Sequence, residues 1–145
     1  MKLFTIGFTK KTAAQFFGLL QEAGVRSVLD TRLNNRSQLS GFTKADDLSY
    51  FLGAIASIGY QYAPEMAPTQ ALLDGYKKFN IGWDAYEREY LSLLRQRSVH
   101  EIVSRTLLDN ACLLCSEHQP KHCHRRLAAE YLQRHFPDLE VVHLT

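Results

Sequence analysis

The chain has 145 residues, 46% hydrophobic and 22% charged, close to the globular average, which excludes disordered, collagen-like and coiled-coil proteins. Seventeen Lys and Arg against fifteen Asp and Glu leave a formal charge of +2, which excludes a strongly basic nucleic-acid coat and leaves room for a local basic patch. No window approaches the roughly 18 consecutive apolar residues of a membrane span, and the opening MKLFTIGFTK has too short an apolar core for export, so neither a membrane partner nor secretion is expected.

The elements read in chain order as short apolar strands between amphipathic helices. Residues 3–6 (LFTI), ending at Gly7, form a first buried strand. Thr12 with Gln15 makes a capping box, and Phe16, Leu19, Leu20 and Ala23 form the stripe of a helix that Gly24 stops. Residues 27–30 (SVLD) are the second strand, and TRLNNRSQLSGF after it is a polar loop, too long for a simple connector. Thr43 with Asp46 opens another helix, with Leu48, Phe51, Leu52 and Ile55 expected on its buried face. Residues 60–62 form a short third strand before Pro64 and Pro68, and Thr69 caps a helix through Tyr76. Residues 83–96 are helical, with Tyr86, Tyr90, Leu93 and Leu94 on one side. Ser98 with Glu101 is read as a third capping box, opening a helix to about residue 108. Residues 111–115 (ACLLC) are a strongly apolar strand, Pro120 sits at the first position of a helix to about residue 136, and residues 140–144 (EVVHL) close the chain.

Strands that are apolar throughout and alternate with helices are the pattern of a parallel sheet covered on both faces. The expectation is one α/β domain over residues 1–145: a doubly wound, mostly parallel sheet of about five strands with helices on both faces. Ligands of such sheets sit beyond the carboxyl ends of the strands.

Three segments meet that condition. After the first strand, Gly7 and Thr9 precede a helix amino end that offers N–H groups to an anion, although neither G-x-G-x-x-G nor G-K-[ST] is present. The alternative is a tight turn. After the second strand, Asp30 beside Arg32 and Arg36, with Ser37 following, suits holding a phosphate or carboxylate while the Asp orients the Arg fork. The alternative is an ion pair tethering a long loop. The third segment, CLLCSEHQPKHCHRR from Cys112 to Arg126, is the densest.

Cys112 and Cys115 lie three apart on a strand and face opposite sides, so they do not converge as a zinc knuckle, and Cys112 reads as a small buried hydrophobe. Cys115 closes the strand, Glu117 and His118 follow in the loop, and Cys123 and His124 fall near a helix amino end. That end and the neighbouring His122, Arg125 and Arg126 favour a thiolate. Three roles stay open. Cys115 or Cys123 is a nucleophile with His124 or Glu117 as proton partner, or both cysteines and a histidine bind a metal, or the cysteines simply pack. The thiol-phosphatase cradle fits poorly, because Glu117 would repel a phosphate and Pro120 removes an N–H. The YKKF run at 76–79 offers aromatic and cationic groups to nucleic acid, against the plainer role of covering a sheet edge. With three cysteines, at least one thiol is unpaired within the chain, and with no signal peptide read in the sequence a reducing cytoplasmic location is expected.

The chain resembles the family catalogued as domain of unknown function 488. The resemblance rests on Thr5-Ile6-Gly7, Asp30-x-Arg32 with Ser37 and Phe42, Gly59-Tyr60, Leu114-Cys115-x-Glu117 and Cys123-His124-Arg125. It departs at Phe8-Thr9, where members often carry His-Ser, and at Met66-Ala67-Pro68-Thr69, where Leu-Gly is usual. The resemblance implies the fold and the site and a link to DNA repair, with no assigned reaction.

The leading expectation is an enzyme acting on a small anionic ligand, a nucleotide or nucleic acid, with no cofactor and no metal. Gly7, Thr9, Asp30, Arg32, Arg36, Ser37 and Arg125 would bind the substrate, and Cys115, Glu117, Cys123 and His124 would do the chemistry. The alternatives are a non-catalytic nucleic-acid or protein-binding module and a metal-holding domain.

Overall fold

The computed structural model describes residues 1–36, 41–117 and 119–145. Five strands are seen among them: β1 (Lys2–Gly7), β2 (Ser27–Asp30), β3 (Gly59–Tyr62), β4 (Ala111–Cys115) and β5 (Glu140–Leu144). All pair in parallel in the order β3-β2-β4-β1-β5. The chain therefore winds outward from β1 to β3, then returns to lay β4 in the centre and β5 at the other edge.

The helices are α1 (Ala13–Ala23), α2 (Ala45–Phe51), α3 (Gln70–Lys77), α4 (Trp83–Gln96), α5 (Val99–Ile102), α6 (Arg105–Leu108) and α7 (His124–His135). None is long and apolar enough to cross a membrane.

Why β4 is apolar at every position is visible in its packing. Ala111 and Leu113 join Leu3 and Leu29 in a cluster with Tyr86, Tyr90 and Leu94 of α4 and Leu127 and Leu132 of α7. Cys112 and Leu114 point the other way, to Phe4, Ile6 and Val28 and the Phe16, Phe17 and Leu20 face of α1. A strand buried on both faces cannot alternate with polar residues. Each fully buried Leu or Phe contributes about 1.5–3 kcal/mol by leaving water.

Local signals set several boundaries as read from the sequence. Thr12 accepts from the Gln15 amide while the Gln15 side chain accepts from the Thr12 amide, and Gly24 ends α1 in the left-handed conformation at φ 75°. Thr69 accepts from the Leu72 amide and starts α3. Four expectations need correction. Ser98 precedes α5 in a left-handed conformation (φ 52°) and makes no side-chain capping bond, and the extended Val103 ends that helix, so the single helix from 98 is two short ones, with Ser104 capping the second through the Leu107 amide. Thr43 lies in a 3₁₀ turn, and α2 begins at Ala45 without a side-chain cap. The chain continues from α2 into a π-helical turn over Leu52–Ala56, which rotates Ile55 out to solvent, 51% exposed. Finally, Pro120 stays in the loop. Helix α7 starts only after Cys123, whose extended backbone (φ −138°, ψ 138°) makes it the N-cap.

Gly7 matters because the loop after β4 lies directly on it. A Cβ there would stand 1.5 Å from the Glu117 carbonyl oxygen and 2.8 Å from Nη1 of Arg125. Gly7→Ala should therefore cost about 2–3 kcal/mol of stability in urea titrations, an overpacking penalty. Gly18 in α1 has nothing within 4 Å of an added Cβ, so Gly18→Ala should stabilise by about 0.5–1 kcal/mol through helix propensity.

Candidate functional site

The site begins with a fully buried carboxylate. Asp30 ends β2 at 0% exposure, and a carboxylate out of water must be saturated with donors. Arg32 supplies a two-point fork, Nε at 2.8 Å from Oδ1 and Nη2 at 2.9 Å from Oδ2, and its backbone N–H adds a third contact at 3.2 Å. The Tyr60 hydroxyl donates to Oδ2 at 2.6 Å, and Nδ2 of Asn35 reaches the same oxygen at 3.3 Å. Burial and this bond to a carboxylate push the Tyr60 hydroxyl pKa up, so it remains a donor. The Phe8 ring lies 5.6 Å from the guanidinium carbon of Arg32.

Two of the three Arg32 nitrogens are thus committed. The third, Nη1, is buried with no hydrogen-bond partner among the described residues. Arg32 lines a cavity of about 220 Å³ beyond the ends of β2 and β4.

The opposite wall is aromatic. Trp83 and Tyr86, one turn apart on α4, stack at 5.1 Å between centroids with an 18° interplanar angle. His122 from the loop before α7 stacks on Trp83 at 4.9 Å and 29°. Tyr76 and Lys77 of α3 complete that side, and Glu117, Cys123 and His124 line the cavity from the β4–α7 loop. A second hollow of about 690 Å³ shares Leu33 and Asn34 with the first and is flanked by Arg36, Tyr60 and Tyr62.

Behind the wall lies a buried guanidinium. Arg125 is 0% exposed; its Nη1 is 3.1 Å from the Cys115 sulfur and also donates to the Glu117 carbonyl, while Nε is 3.3 Å from Thr5 Oγ1. Desolvation lowers its pKa to about 10, which leaves it charged at neutral pH. The Thr9 amide and hydroxyl both donate to the Ser116 carbonyl, pinning the same loop to the end of β1. Cys115 and Cys123 are joined as a disulfide across this loop. Their pairing was not among the roles considered from sequence. Cys112 is the free cysteine, buried on the other face of β4, where burial raises its thiol pKa.

His124 opens α7. Its Nε2 is 2.9 Å from the Thr31 carbonyl, which can only accept, so Nε2 carries the proton. Desolvation, aided by Arg125, lowers its pKa to about 4, so the ring is neutral at pH 7. It is an anchor between α7 and β2 in this arrangement.

Of the residues picked from sequence, Arg32, Glu117, Cys123 and His124 share the cavity. Asp30, Cys115, Arg125, Gly7 and Thr9 form its support; Gly7 and Thr9 receive the loop backbone, so the helix amino end after β1 is not turned to this cavity. Arg36 faces the second hollow. Ser37 and His118 lie outside the described residues. Among those residues no group of three or more His, Cys, Asp and Glu is arranged to hold a metal ion. Missed from sequence were Trp83, given only as the start of a helix, Tyr86, placed on that helix's apolar side, and Tyr60, placed in the third strand; Tyr76 was noted in the YKKF run, against the plainer role of covering a sheet edge. The W-x-x-Y spacing on α4 and the YKK run were the available signals.

A five-stranded parallel α/β sheet with an Asp–Arg fork and a C-x-E…C-H-R loop at its strand ends defines the class. Residues 12–132 match the family described as domain of unknown function DUF488, and the chain belongs to it. No curated protein and no solved structure matches the chain.

Two outcomes test this architecture. Tyr60→Phe removes one donor from Asp30 and should destabilise by about 1–3 kcal/mol in denaturant titration. His124 has a folded pKa below its ordinary 6.5, so the unfolded chain binds the extra proton first. Its contribution is full above pH 6.5 and is lost as pH falls toward 4, at most about 3 kcal/mol and less where solvent reaches the ring. The loss of stability between pH 7 and pH 4.5 should be smaller in His124→Asn than in the parent protein.

Proposed function

We propose that the cavity is the ligand site of an enzyme acting on a small anionic compound of the nucleotide class. The observation that carries this reading is Arg32, which lines the cavity and whose buried Nη1 has no hydrogen-bond partner among the described residues. A buried N–H is left unmatched at a cost of roughly 1–3 kcal/mol, and an anionic oxygen removes that cost. Asp30 holds the guanidinium in place, so the donor is preorganised and binding spends little on ordering it.

The flat side of the ligand is supplied with a partner too. The stacked Trp83–Tyr86 pair and His122 offer a surface of the kind on which nucleobases stack, worth roughly 1–3 kcal/mol per base. The cavity alone is smaller than the roughly 300–1,000 Å³ of most small-molecule sites. A second hollow that shares Leu33 and Asn34 in its lining lies beside it, so that a base in one and a sugar phosphate toward the other would span both. Because Arg32 is already paired with Asp30, and Glu117 lines the same cavity as Lys77, selection of the anion would rest on the Arg32 donor more than on net charge.

Within that site Glu117 is the group in position to move a proton, and Cys123 is the sulfur next to the ligand; a nucleophilic role for either cysteine requires the reduced pair. Arg125 would then stabilise charge that develops on Cys115.

Trp83 is the only tryptophan of the chain and lies on the cavity wall, so its emission reports occupancy. Adenosine monophosphate should quench it saturably and bind at least about tenfold more tightly than adenosine, since a hydrogen bond to a charged group is worth about 1.5–3 kcal/mol. Arg32→Lys, checked for folding by circular dichroism, should abolish that preference, because Lys lacks the planar fork. Equal affinity for nucleoside and nucleotide, or no quenching by either, overturns the reading. Glu117→Gln removes a negative charge from the anion's surroundings and should bind the nucleotide no more weakly. It should slow any conversion of the nucleotide followed by chromatography by about 10²–10⁴-fold.

A further inference from the structure

The Cys115–Cys123 pair is built asymmetrically. Cys123 lines the cavity, whereas Cys115 does not. Both are nearly excluded from bulk solvent, at 1% and 3% exposure for Cys115 and Cys123, so a reagent reaches the pair from the cavity side or not at all. Nη1 of the buried Arg125 stands 3.1 Å from the Cys115 sulfur, and the guanidinium remains charged at neutral pH. Cys123 is the N-cap of α7, a helix of twelve residues, with no side-chain capping bond.

We infer that the structure holds a thiol–disulfide exchange site, in which a small uncharged or anionic monothiol enters the cavity, attacks Cys123, and expels Cys115 as a thiolate paired with Arg125. This goes beyond the nucleotide reading and does not depend on it. The step balances as follows. The thiolate RS⁻ donates its electron pair to Sγ of Cys123, a new RS–Sγ bond forms, and the Cys115–Cys123 bond breaks with its electron pair on Cys115. A second RS⁻ then attacks the mixed disulfide, releasing RSSR and leaving Cys123 as a thiolate that takes a proton from water. The protein is reduced by two electrons and two thiols are oxidised to one disulfide, so the monothiol is the only co-reactant.

The direction of attack follows from chemistry as well as access. Exchange is faster when the leaving sulfur is the better-stabilised thiolate, and a guanidinium at hydrogen-bond distance lowers a cysteine pKa. In the disulfide, Cys115 Sγ is only a weak acceptor for that donor, whereas the thiolate forms a charge-assisted contact with it. Cys123 as a thiolate lies at the α7 amino end, where free N–H groups favour negative charge. Glu117 and His122, two cavity-lining groups, lie in the loop between the paired cysteines.

The test uses the full-length, air-oxidised protein and 2-mercaptoethanol. Reactions are quenched with acid at intervals and digested with trypsin, which cuts after Lys121 and so separates Cys123 from Cys112 and Cys115. The expected result is a mixed disulfide on Cys123 at early times, at least tenfold in excess of any on Cys115. The single variants give the same answer from the opposite direction. With 2-hydroxyethyl disulfide, Cys115→Ser should be modified at Cys123 to about one group per chain. Cys123→Ser, treated alike, should be modified at Cys115 at less than a tenth of that rate. In the parent protein, Arg125→Lys should slow reduction by about tenfold while the adduct stays on Cys123. An adduct first on Cys115, equal modification of the two variants, or absence of the disulfide in the oxidised protein overturns the inference.

Discussion

One side of the cavity at the carboxyl ends of the strands hangs from the Asp30 carboxylate. It is fully buried, and leaving it unpaired would cost several kcal/mol, so the chain surrounds it with the Arg32 fork, the Tyr60 hydroxyl and Asn35. Those donors come from the loop after β2 and from β3. The carboxylate thereby ties the sheet edge to the loop that forms one cavity wall. It also leaves Arg32 with a single uncommitted nitrogen whose direction is dictated by the fork.

Arg125 does the corresponding work on the other side. A guanidinium is costly to bury, and this one is surrounded by the Thr5 hydroxyl, the Glu117 carbonyl and the Cys115 sulfur. Each contact belongs to a different element, β1, the β4–α7 loop and β4. Gly7 then makes sense as the residue whose missing side chain lets the loop carbonyl approach β1. The sequence pattern Thr5-x-Gly7, Cys115-x-Glu117 and Cys123-His124-Arg125 is therefore one packing unit read at three places along the chain. That packing brings residues distant in sequence together, and three members of the unit, Glu117, Cys123 and His124, line the cavity.

The aromatic wall is a different kind of feature. Trp83, Tyr86 and Tyr90 follow the helical repeat, and the repeat alone places them on the inner face of α4. Tyr90 is spent on structure, donating to the Met66 carbonyl at 2.6 Å. Trp83 and Tyr86, nearer the helix start, overhang the strand ends and become cavity wall instead. Position along the helix relative to the sheet decides between the two uses, and that position is a tertiary quantity.

By itself the sequence determined the parallel α/β architecture, because strands buried on both faces must be apolar at every position, as in ACLLC, and because Thr12, Thr69 and Gly24 carry their capping chemistry locally. It also determined that Asp30–Arg32 and the Cys115–Arg125 segment lie at strand carboxyl ends, since each follows its strand directly. Only the tertiary structure decided which of these groups face the cavity. Arg36 went to the neighbouring hollow, Gly7 and Thr9 to the loop backbone, and Cys115 behind the wall. The start of α7 at Cys123 rather than Pro120 was likewise set by contacts of the loop with Arg125 and β1. The reason is the same throughout: periodicity and caps act over a few residues, whereas a side chain's neighbours across the strand ends depend on how distant segments stack.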